Sequence, residues 1–301
     1  MRVRRRGSRW LNLSLWIGLL ATGCEQQVGP TDAATASTPS RIERIVSLSP
    51  AMTTMLVDLG RQDLVVGRTP WCRGVDNATV VGTLEGPDAE LLLVAKPDLV
   101  LVQPPASGLD PSILELQRRV GFELIAQRLD GVDDITEVVQ SLADRGVVSA
   151  SMAQAWGDRT DFIRTAVNAA KESSRADDPS IDLVMLYSVD PFGLVGRGTY
   201  LDEVMIAAGG RNLVRRPGWI EAGVEELISL EPPVVVLVLA KPDDGRRLAT
   251  LRSLPWKTMP RFEVLLSPDA FEPSTRIYQV VANLRALLDD STQDAASEVD
   301  P

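Results

Sequence analysis

The chain has 301 residues, of which 45% are hydrophobic, enough to build one large or two modest hydrophobic cores. It contains no histidine, which excludes Ser-His-Asp and Cys-His catalysis and any metal site with a histidine ligand. Its net charge is −10, so nucleic acid is not an expected partner. The composition is that of a globular protein without the commonest catalytic and metal-binding side chain.

The first 23 residues have the features of a secretion signal. Arginines precede an apolar run over residues 10–21, which is too short to span a bilayer as a helix. Small residues come directly before Cys24, which resembles the lipobox of bacterial lipoproteins. We therefore expect residues 1–23 to be a lipoprotein signal peptide and Cys24 to be lipidated, with ordinary cleavage or an uncleaved anchor as alternatives. Removal of the signal peptide deletes five arginines and no acidic residues, so the net charge of the chain changes from −10 to −15.

Two further segments are predicted to lie outside the folded part. Residues 24–40 have few large apolar side chains and predict a flexible tether. Residues 290–301 are acidic and predict a disordered tail. If Cys24 is lipidated, Cys72 stands alone and no intrachain disulfide can form.

Strand and helix patterns alternate over residues 41–148 and again over 174–289. The continuous apolar runs LVLV (99–102) and VVVLVL (234–239) are typical of strands that are buried on both faces. Alternation of such strands with helices predicts doubly wound α/β lobes with parallel sheets.

A single helix is predicted between the two lobes, over residues 149–173. The segment contains no proline, and Met152, Trp156, Ile163 and Val167 recur at helical spacing. We interpret it as a rigid helix that joins an N-terminal and a C-terminal lobe. One continuous α/β domain is the alternative.

The two lobes share a helix–proline–strand pattern. AELLLVAKPDLVLV (89–102) and EELISLEPPVVVLV (225–238) each read as a helix, a proline stop and an apolar strand. A glutamate stands seven residues before the stopping proline in each, at Glu90 and at Glu225. The pattern predicts two carboxylates at equivalent points on two similar lobes, although a solvated helix glutamate without a special role is the ordinary alternative.

Four stretches, in order and at the right spacing, carry a resemblance to a known family. They are RIVSLSPAMTTMLVDLG (44–60), VVGTLEGPDAELLLVAKPDLVLV (80–102), GRGTYLDEVMIAAGGRNLV (196–214) and AFEPSTRI (270–277). The chain resembles the substrate-binding proteins of ABC importers for vitamin B12, iron-siderophores and haem, and its pattern is nearest to the cobalamin-binding type. The resemblance implies two Rossmann-like lobes, a ligand cleft between them and no enzymatic activity.

The resemblance also implies roles for individual residues. Glu90 and Glu225 match the glutamates that dock on arginines of the dimeric permease, which works with its ATPase. Trp71, Trp219 and Phe271 match cleft loops and would contact a large, flat, apolar ligand. Partly buried packing residues are the ordinary alternative for all three aromatic side chains.

The implied function is capture of a corrinoid by an exported, monomeric lipoprotein whose lipid anchor is its only membrane attachment. A ferric-siderophore or haem binder of the same family is the alternative, and it would use arginines to neutralise an anionic ligand. These are Arg68, Arg73, Arg197, Arg216 and Arg276, of which Arg73 and Arg197 are the leading candidates. The sequence departs from the cobalamin-binding pattern at Leu84, where that pattern has tryptophan.

An α/β hydrolase with a carboxylate pair is the hypothesis from a different class of protein. Asp190, Asp202 and Glu203 lie near a predicted cleft loop, but no spacing marks two of them as a pair. We expect no cofactor and no catalytic residue.

Overall fold

The computed structural model of the protein describes residues 41–83, 86–172 and 180–297. The predicted signal peptide (1–23), the predicted tether (24–40) with Cys24, and Leu84 lie outside the described residues. The last helix continues to Ser297, so the first part of the segment predicted as a disordered tail is helical instead. Residues 298–301 of that segment are again outside the description. Each helix within the described ranges is too short or too polar to cross a bilayer.

The N-terminal lobe is a sheet of five parallel strands flanked by helices. The strands are β1 (Ile45–Ser47), β2 (Val65–Arg68), β3 (Thr79–Val80), β4 (Leu99–Val102) and β5 (Glu123–Ala126), and the helices are α1 (Pro50–Asp58), α2 (Ala89–Ala95), α3 (Pro111–Val120) and α4 (Val132–Asp144). The strand order is β3-β2-β1-β4-β5, and all pairings are parallel, as predicted. The order reverses between β1 and β4, and open α/β sheets bind ligands at such a point.

The C-terminal lobe contains a second, mixed sheet. Its strands are β6 (Ile181–Val189), β7 (Phe192–Val195), β8 (Gly210–Asn212), β9 (Trp219–Ala222), β10 (Val234–Leu239) and β11 (Arg261–Leu266), and its helices are α6 (Tyr200–Ala207), α7 (Val224–Ser229), α8 (Arg246–Arg252) and α9 (Ile277–Ser297). The strands β8, β6, β10 and β11 are parallel, as predicted. An antiparallel edge of β7 and β9 adds to them. The strand β9 begins at Trp219, and β7 begins two residues after Asp190, so both strands lie where the sequence analysis expected cleft loops.

Both sheets are buried on two faces, which explains the continuous apolar runs of the sequence. In β4, Leu99 and Leu101 point into the core shared with α1 and α4, whereas Val100 and Val102 pack under α2 and α3. The strand β10 divides its side chains between two cores in the same alternating way. Alternation with a period of two places every residue of such a strand in a core.

The predicted connecting helix is confirmed as α5 (Ala150–Glu172). It packs on α4 of the N-terminal lobe and on α6 and α9 of the C-terminal lobe. Its buried side chains Trp156, Ile163 and Val167 belong to one hydrophobic core that continues from one lobe into the other. The helix is therefore a shared inner wall of both lobes, which favours small lobe motions over wide opening.

A polar contact also joins the lobes beside α5. The carboxylate of Glu203, on α6, accepts the backbone N–H of Val132 at 2.7 Å, where α4 begins. Burial raises the pKa of Glu203 above its ordinary value. A Cβ at Gly131 would meet the Glu203 carboxylate at 3.0 Å, so the absence of a side chain at Gly131 makes room for this contact.

Candidate functional site

A cleft of about 1150 Å³ opens at the carboxyl ends of the strands. One wall follows β1 and β4 and consists of residues 48–51 and 102–105. The opposite wall follows β10 and β11 and includes residues 240–241 and 271–273. The cleft thus lies between the two lobes and beside the reversal of strand order between β1 and β4, where open α/β sheets bind ligands.

Two of the predicted aromatic residues line the cleft. Trp71 comes from the loop after β2, and Phe271 from the loop after β11. Their side chains are 50% and 41% exposed, although large aromatic side chains are usually more buried. Leu48 and Ile113 add further apolar surface. The cleft therefore offers two accessible rings on an apolar lining.

Prolines stiffen the walls of the cleft. Those that line it are Pro50, Pro104, Pro105, Pro111, Pro268 and Pro273. Each fixes its own backbone φ angle, and Pro50 and Pro111 stand at the first turns of α1 and α3. A wall with this little backbone freedom loses little entropy when a ligand binds.

The structure places Trp219 outside the lining of the cleft. Its ring packs edge-on against Tyr187 at 5.2 Å between centroids and lies 5.5 Å from the ring of Tyr200. The Tyr200 hydroxyl donates to the backbone carbonyl of Ala270 at 2.9 Å, next to Phe271. Burial raises the pKa of Tyr200. Trp219 is 47% exposed and is connected to the loop of Phe271 through Tyr200.

The predicted ligand residue Arg73 lines the cleft but is held by the opposite lobe. Its guanidinium lies 2.9 Å from the carboxylate of Glu272 and 3.6 Å from that of Asp269. The hydroxyl of Thr54 donates a hydrogen bond to Glu272 at 3.0 Å. Arg73 therefore joins the N-terminal lobe to the loop that carries Phe271.

A second arginine extends this connection behind the cleft. Arg276 binds Asp58 of α1 at 2.8 Å and lies 3.4 Å from Asp269. Thr275 donates to Asp58 at 2.7 Å. The hydrogen bonds to Asp58 raise the pKa of the Arg276 guanidinium. We call Asp58, Arg73, Asp269, Glu272 and Arg276 the interlobe ion network.

The other predicted cationic residues lie elsewhere. Arg68 donates to the backbone carbonyls of Ala78 and Thr69, and Arg216 pairs with Glu226 at 2.6 Å. Arg197 is exposed on the loop before α6, outside the lining of the cleft. The sequence analysis missed Lys241, which lines the cleft. Its position just after the buried strand β10 was a signal that could have identified it.

Glu90 and Glu225 occupy equivalent places in the two lobes. Each is exposed in the first turn of the helix, α2 or α7, that precedes a central strand of its sheet. Neither carboxylate forms an ion pair with a residue in the described ranges. The neighbouring Glu226 differs, because it is bound to Arg216.

The acidic residues of the hydrolase hypothesis do not come together in the cleft. Asp202 is buried and accepts hydrogen bonds from the side chain of Asn212 and the backbone of Gly198, each at 2.9 Å. Glu203 binds the start of α4, and Asp190 is exposed in the turn after β6. Asp202 and Glu203 thus have structural roles.

Two α/β lobes on one shared helix, with a stiff apolar cleft at the carboxyl ends of their strands, define a solute-binding protein. The sequence profile of the family described as "Periplasmic binding protein" matches residues 45–255, more than half of the chain. The chain therefore belongs to the periplasmic binding protein family. Members of this family are extracytoplasmic solute-binding components of ABC transporters rather than enzymes. A search of curated proteins gives no match.

Solved structures share the fold. A periplasmic heme-binding protein from Pseudomonas aeruginosa is 23% identical, with a TM-score of 0.64 over 81% of this chain and 92% of its own. The periplasmic vitamin B12-binding protein BtuF of Vibrio cholerae is 19% identical, with a TM-score of 0.62 over 84% and 98% of the two chains. The periplasmic heme-binding protein RhuT from Roseiflexus sp. RS-1 is 20% identical, with a TM-score of 0.63 over 83% and 98%.

Proposed function

We propose that this protein captures a corrinoid of the vitamin B12 type between its lobes and delivers it to an ABC permease. The observation that carries the proposal is the cleft of about 1150 Å³ with Trp71 and Phe271 in its lining. Pockets for drug-sized ligands measure about 300–1000 Å³. A cleft above that range, with two accessible rings, suits a macrocycle larger than a drug.

Haem is the second candidate, because structures with this fold include heme-binding proteins from Pseudomonas aeruginosa and Roseiflexus. Without histidine, capture through the iron would require tyrosine, methionine or cysteine. None of these three residue types lines the described part of the cleft. Cys72 is buried against the carbonyl of Ser47. The lining therefore favours a ligand whose metal needs no protein ligand.

A ferric siderophore is the third candidate and would need several free cations. Of the five arginines considered from the sequence, Arg68, Arg73, Arg216 and Arg276 are bound to protein groups. An anionic siderophore would have to displace these contacts. Arg197 remains a candidate only for a ligand that extends beyond the cleft lining.

The proposal includes a cellular location and a partner for the protein. It acts as a monomer on the outer face of the cytoplasmic membrane, held there by a lipid on Cys24. Glu90 and Glu225 bind a permease dimer that works with an ATPase. The match to an extracytoplasmic family supports this location.

Calorimetric titration of the protein without its signal sequence tests the ligand. We expect one cyanocobalamin per chain and weaker binding of hemin and of ferric siderophores. Absence of binding to all three ligands, or turnover of any of them, would contradict the proposed function.

Replacing Trp71 with alanine is expected to weaken cyanocobalamin binding about 10- to 30-fold, because the ring offers apolar contact at little entropic cost. Phe162→Ala is the matched control, since Phe162 is 41% exposed on α5 and lies outside the cleft lining. Calorimetry should show near-normal affinity for that variant. Equal affinities of the two variants would remove Trp71 from the site.

Replacing Trp219 with alanine is expected to weaken binding by a smaller factor, about three- to tenfold. The substitution removes a half-exposed ring and loosens Tyr200, which holds the backbone of Ala270. The same titration measures the loss, and the melting temperature checks that the variant is folded. Unchanged affinity in a folded variant would show that the assignment of Trp219 to the site is wrong.

A further inference from the structure

The charged groups that line the cleft differ in whether the protein satisfies them. Among the residues that the structure describes, these groups are Arg73, Asp110, Lys241 and Glu272. Arg73 and Glu272 bind each other at 2.9 Å, and the Asp110 carboxylate accepts the backbone N–H of Ser112 at 2.8 Å. Within the described ranges, Lys241 has neither a hydrogen bond nor an ion pair. The ammonium group of Lys241 is thus available to bind a ligand in the cleft.

The acidic residues next to Lys241 are occupied within their own loop. Asp243 accepts the backbone N–H of Gly245 at 2.8 Å and lies 3.9 Å from Arg247. Asp244 binds Arg246 at 2.5 Å, and this hydrogen bond lowers the pKa of Asp244. The nearest carboxylates along the chain are therefore already paired with other cations.

Lys241 lies close to the end of a buried strand. Lys241 lies just beyond the carboxyl end of β10. All residues of β10 are buried, and the strand lies between β6 and β11 in the sheet. Pro242 follows directly and restricts the backbone of the loop. The lysine thus stands in a short loop, two residues after the end of a buried strand.

We propose that Lys241 binds an anionic group of the ligand while Trp71 and Phe271 contact its apolar ring system. The inference rests on the proposed function and specifies its ligand class: a large macrocycle with an anionic oxygen at its edge. A protein of net charge −10 repels anions in general, so a local cation is needed to admit one. A hydrogen bond between an ammonium group and an anionic oxygen is among the stronger contacts available.

Two types of ligand combine a macrocycle with an anionic oxygen at its edge. A cobalamin has the phosphodiester of its nucleotide loop, and a haem has two propionates. Each has a counterpart without the anionic group: dicyanocobinamide lacks the phosphodiester, and hemin dimethyl ester has no free carboxylates. Within each pair the ring system is kept and the anionic group is absent from the counterpart. The cobinamide also lacks the ribose and the benzimidazole, so the dependence on the charge at position 241 decides whether the anion itself is bound.

The test measures the affinity of the wild type, Lys241→Gln and Lys241→Arg for these four compounds. For the anionic compound that the wild type binds, Lys241→Gln is expected to lose about tenfold in affinity. Lys241→Arg should restore most of it. The counterpart without the anionic group should bind the wild type and Lys241→Gln equally. Lys257→Gln is the control, because Lys257 is an exposed lysine of the same lobe, pairs with Glu231 at 2.8 Å and lies outside the cleft lining.

The outcomes separate this inference from the proposed function. Tight binding of cyanocobalamin that Lys241→Gln leaves unchanged would overturn the role of Lys241 and leave the proposed function standing. Tight binding of hemin alone would replace the corrinoid by haem, the second candidate, and the Lys241 variants would still test the inference. An equal loss for the anionic and the neutral compound would also overturn it, because the effect would then not depend on the anion. If the wild type binds none of the four compounds, both the proposed function and the inference are wrong.

Discussion

Replacing both Glu90 and Glu225 with alanine is expected to stop import and to leave ligand affinity unchanged. Both carboxylates are exposed in the first turn of a helix and form no ion pair in the described ranges. Neither lines the cleft. A dimeric permease presents two equivalent surfaces, and charges at the edge of an interface mainly steer and orient the partners. We therefore expect each glutamate to be needed for correct docking.

Uptake of labelled cyanocobalamin by cells that depend on this protein and its permease measures the effect. We expect a loss of at least about tenfold for the double variant, and an affinity within about twofold of wild type by calorimetry. Glu115→Ala with Glu226→Ala removes the same charge from two exposed helix glutamates that have arginine partners. That control should import normally. Normal import by the Glu90/Glu225 variant would refute the docking role.

The helix–proline–strand pattern that identified these two glutamates is accompanied by a similar backbone conformation in both lobes. Lys96 and Glu231 have φ angles of 45° and 44°, and within the described ranges they are the non-glycine residues with positive φ. Each ends the helix that carries the glutamate and directly precedes a proline. A left-handed residue is a common way to end a helix, and the following proline prevents its continuation. The two lobes thus repeat a strained turn that the sequence pattern could not reveal.

Much of the fold could be predicted because burial leaves a clear pattern. The connecting helix was predicted at 149–173 and spans Ala150–Glu172, since its apolar side chains recur every three to four residues. The strands β4 and β10 were predicted because both of their faces are buried. The alternation of such strands with helices identified both lobes as α/β.

The antiparallel edge of the second lobe could not be predicted, because its glycines resemble those of a loop. A Cβ at Gly193 would lie 2.5 Å from the ring of Tyr187, and one at Gly196 would lie 2.3 Å from the carbonyl oxygen of Arg216. These glycines allow a close approach of neighbouring chain segments. Their role depends on contacts with other strands, which the local sequence does not contain.

The aromatic side chains of the cleft were easier to predict than its charges. Trp71 and Phe271 were found because they match cleft loops of the family that the sequence resembles. Whether a charge is free depends on distant partners: Asp58 and Arg276 are 218 residues apart in sequence. Arg73 was therefore chosen although it is paired, and Lys241 was overlooked although it is unpaired within the described ranges.

Replacing Arg276 with methionine is expected to lower the free energy of unfolding by about 1–3 kcal/mol, because partly buried charged hydrogen bonds are lost. The guanidinium binds Asp58 from the opposite lobe and lies 3.4 Å from Asp269, so its removal leaves two acids without this cation. Because one hydrophobic core runs through both lobes, we expect a single unfolding transition. Urea unfolding measures the change.

Arg118→Met is the matched control, since Arg118 pairs with Glu115 on the exposed face of α3 and such pairs contribute about 0–1 kcal/mol. The double variant Asp58→Asn/Arg276→Met should be more stable than the sum of the single losses implies, by about 1 kcal/mol, because the two residues interact directly. Additive losses, or equal losses for Arg276→Met and Arg118→Met, would mean that the interlobe ion network does not stabilise the protein. The lobes would then be held together by the core around α5 and by the contact of Glu203 with the start of α4.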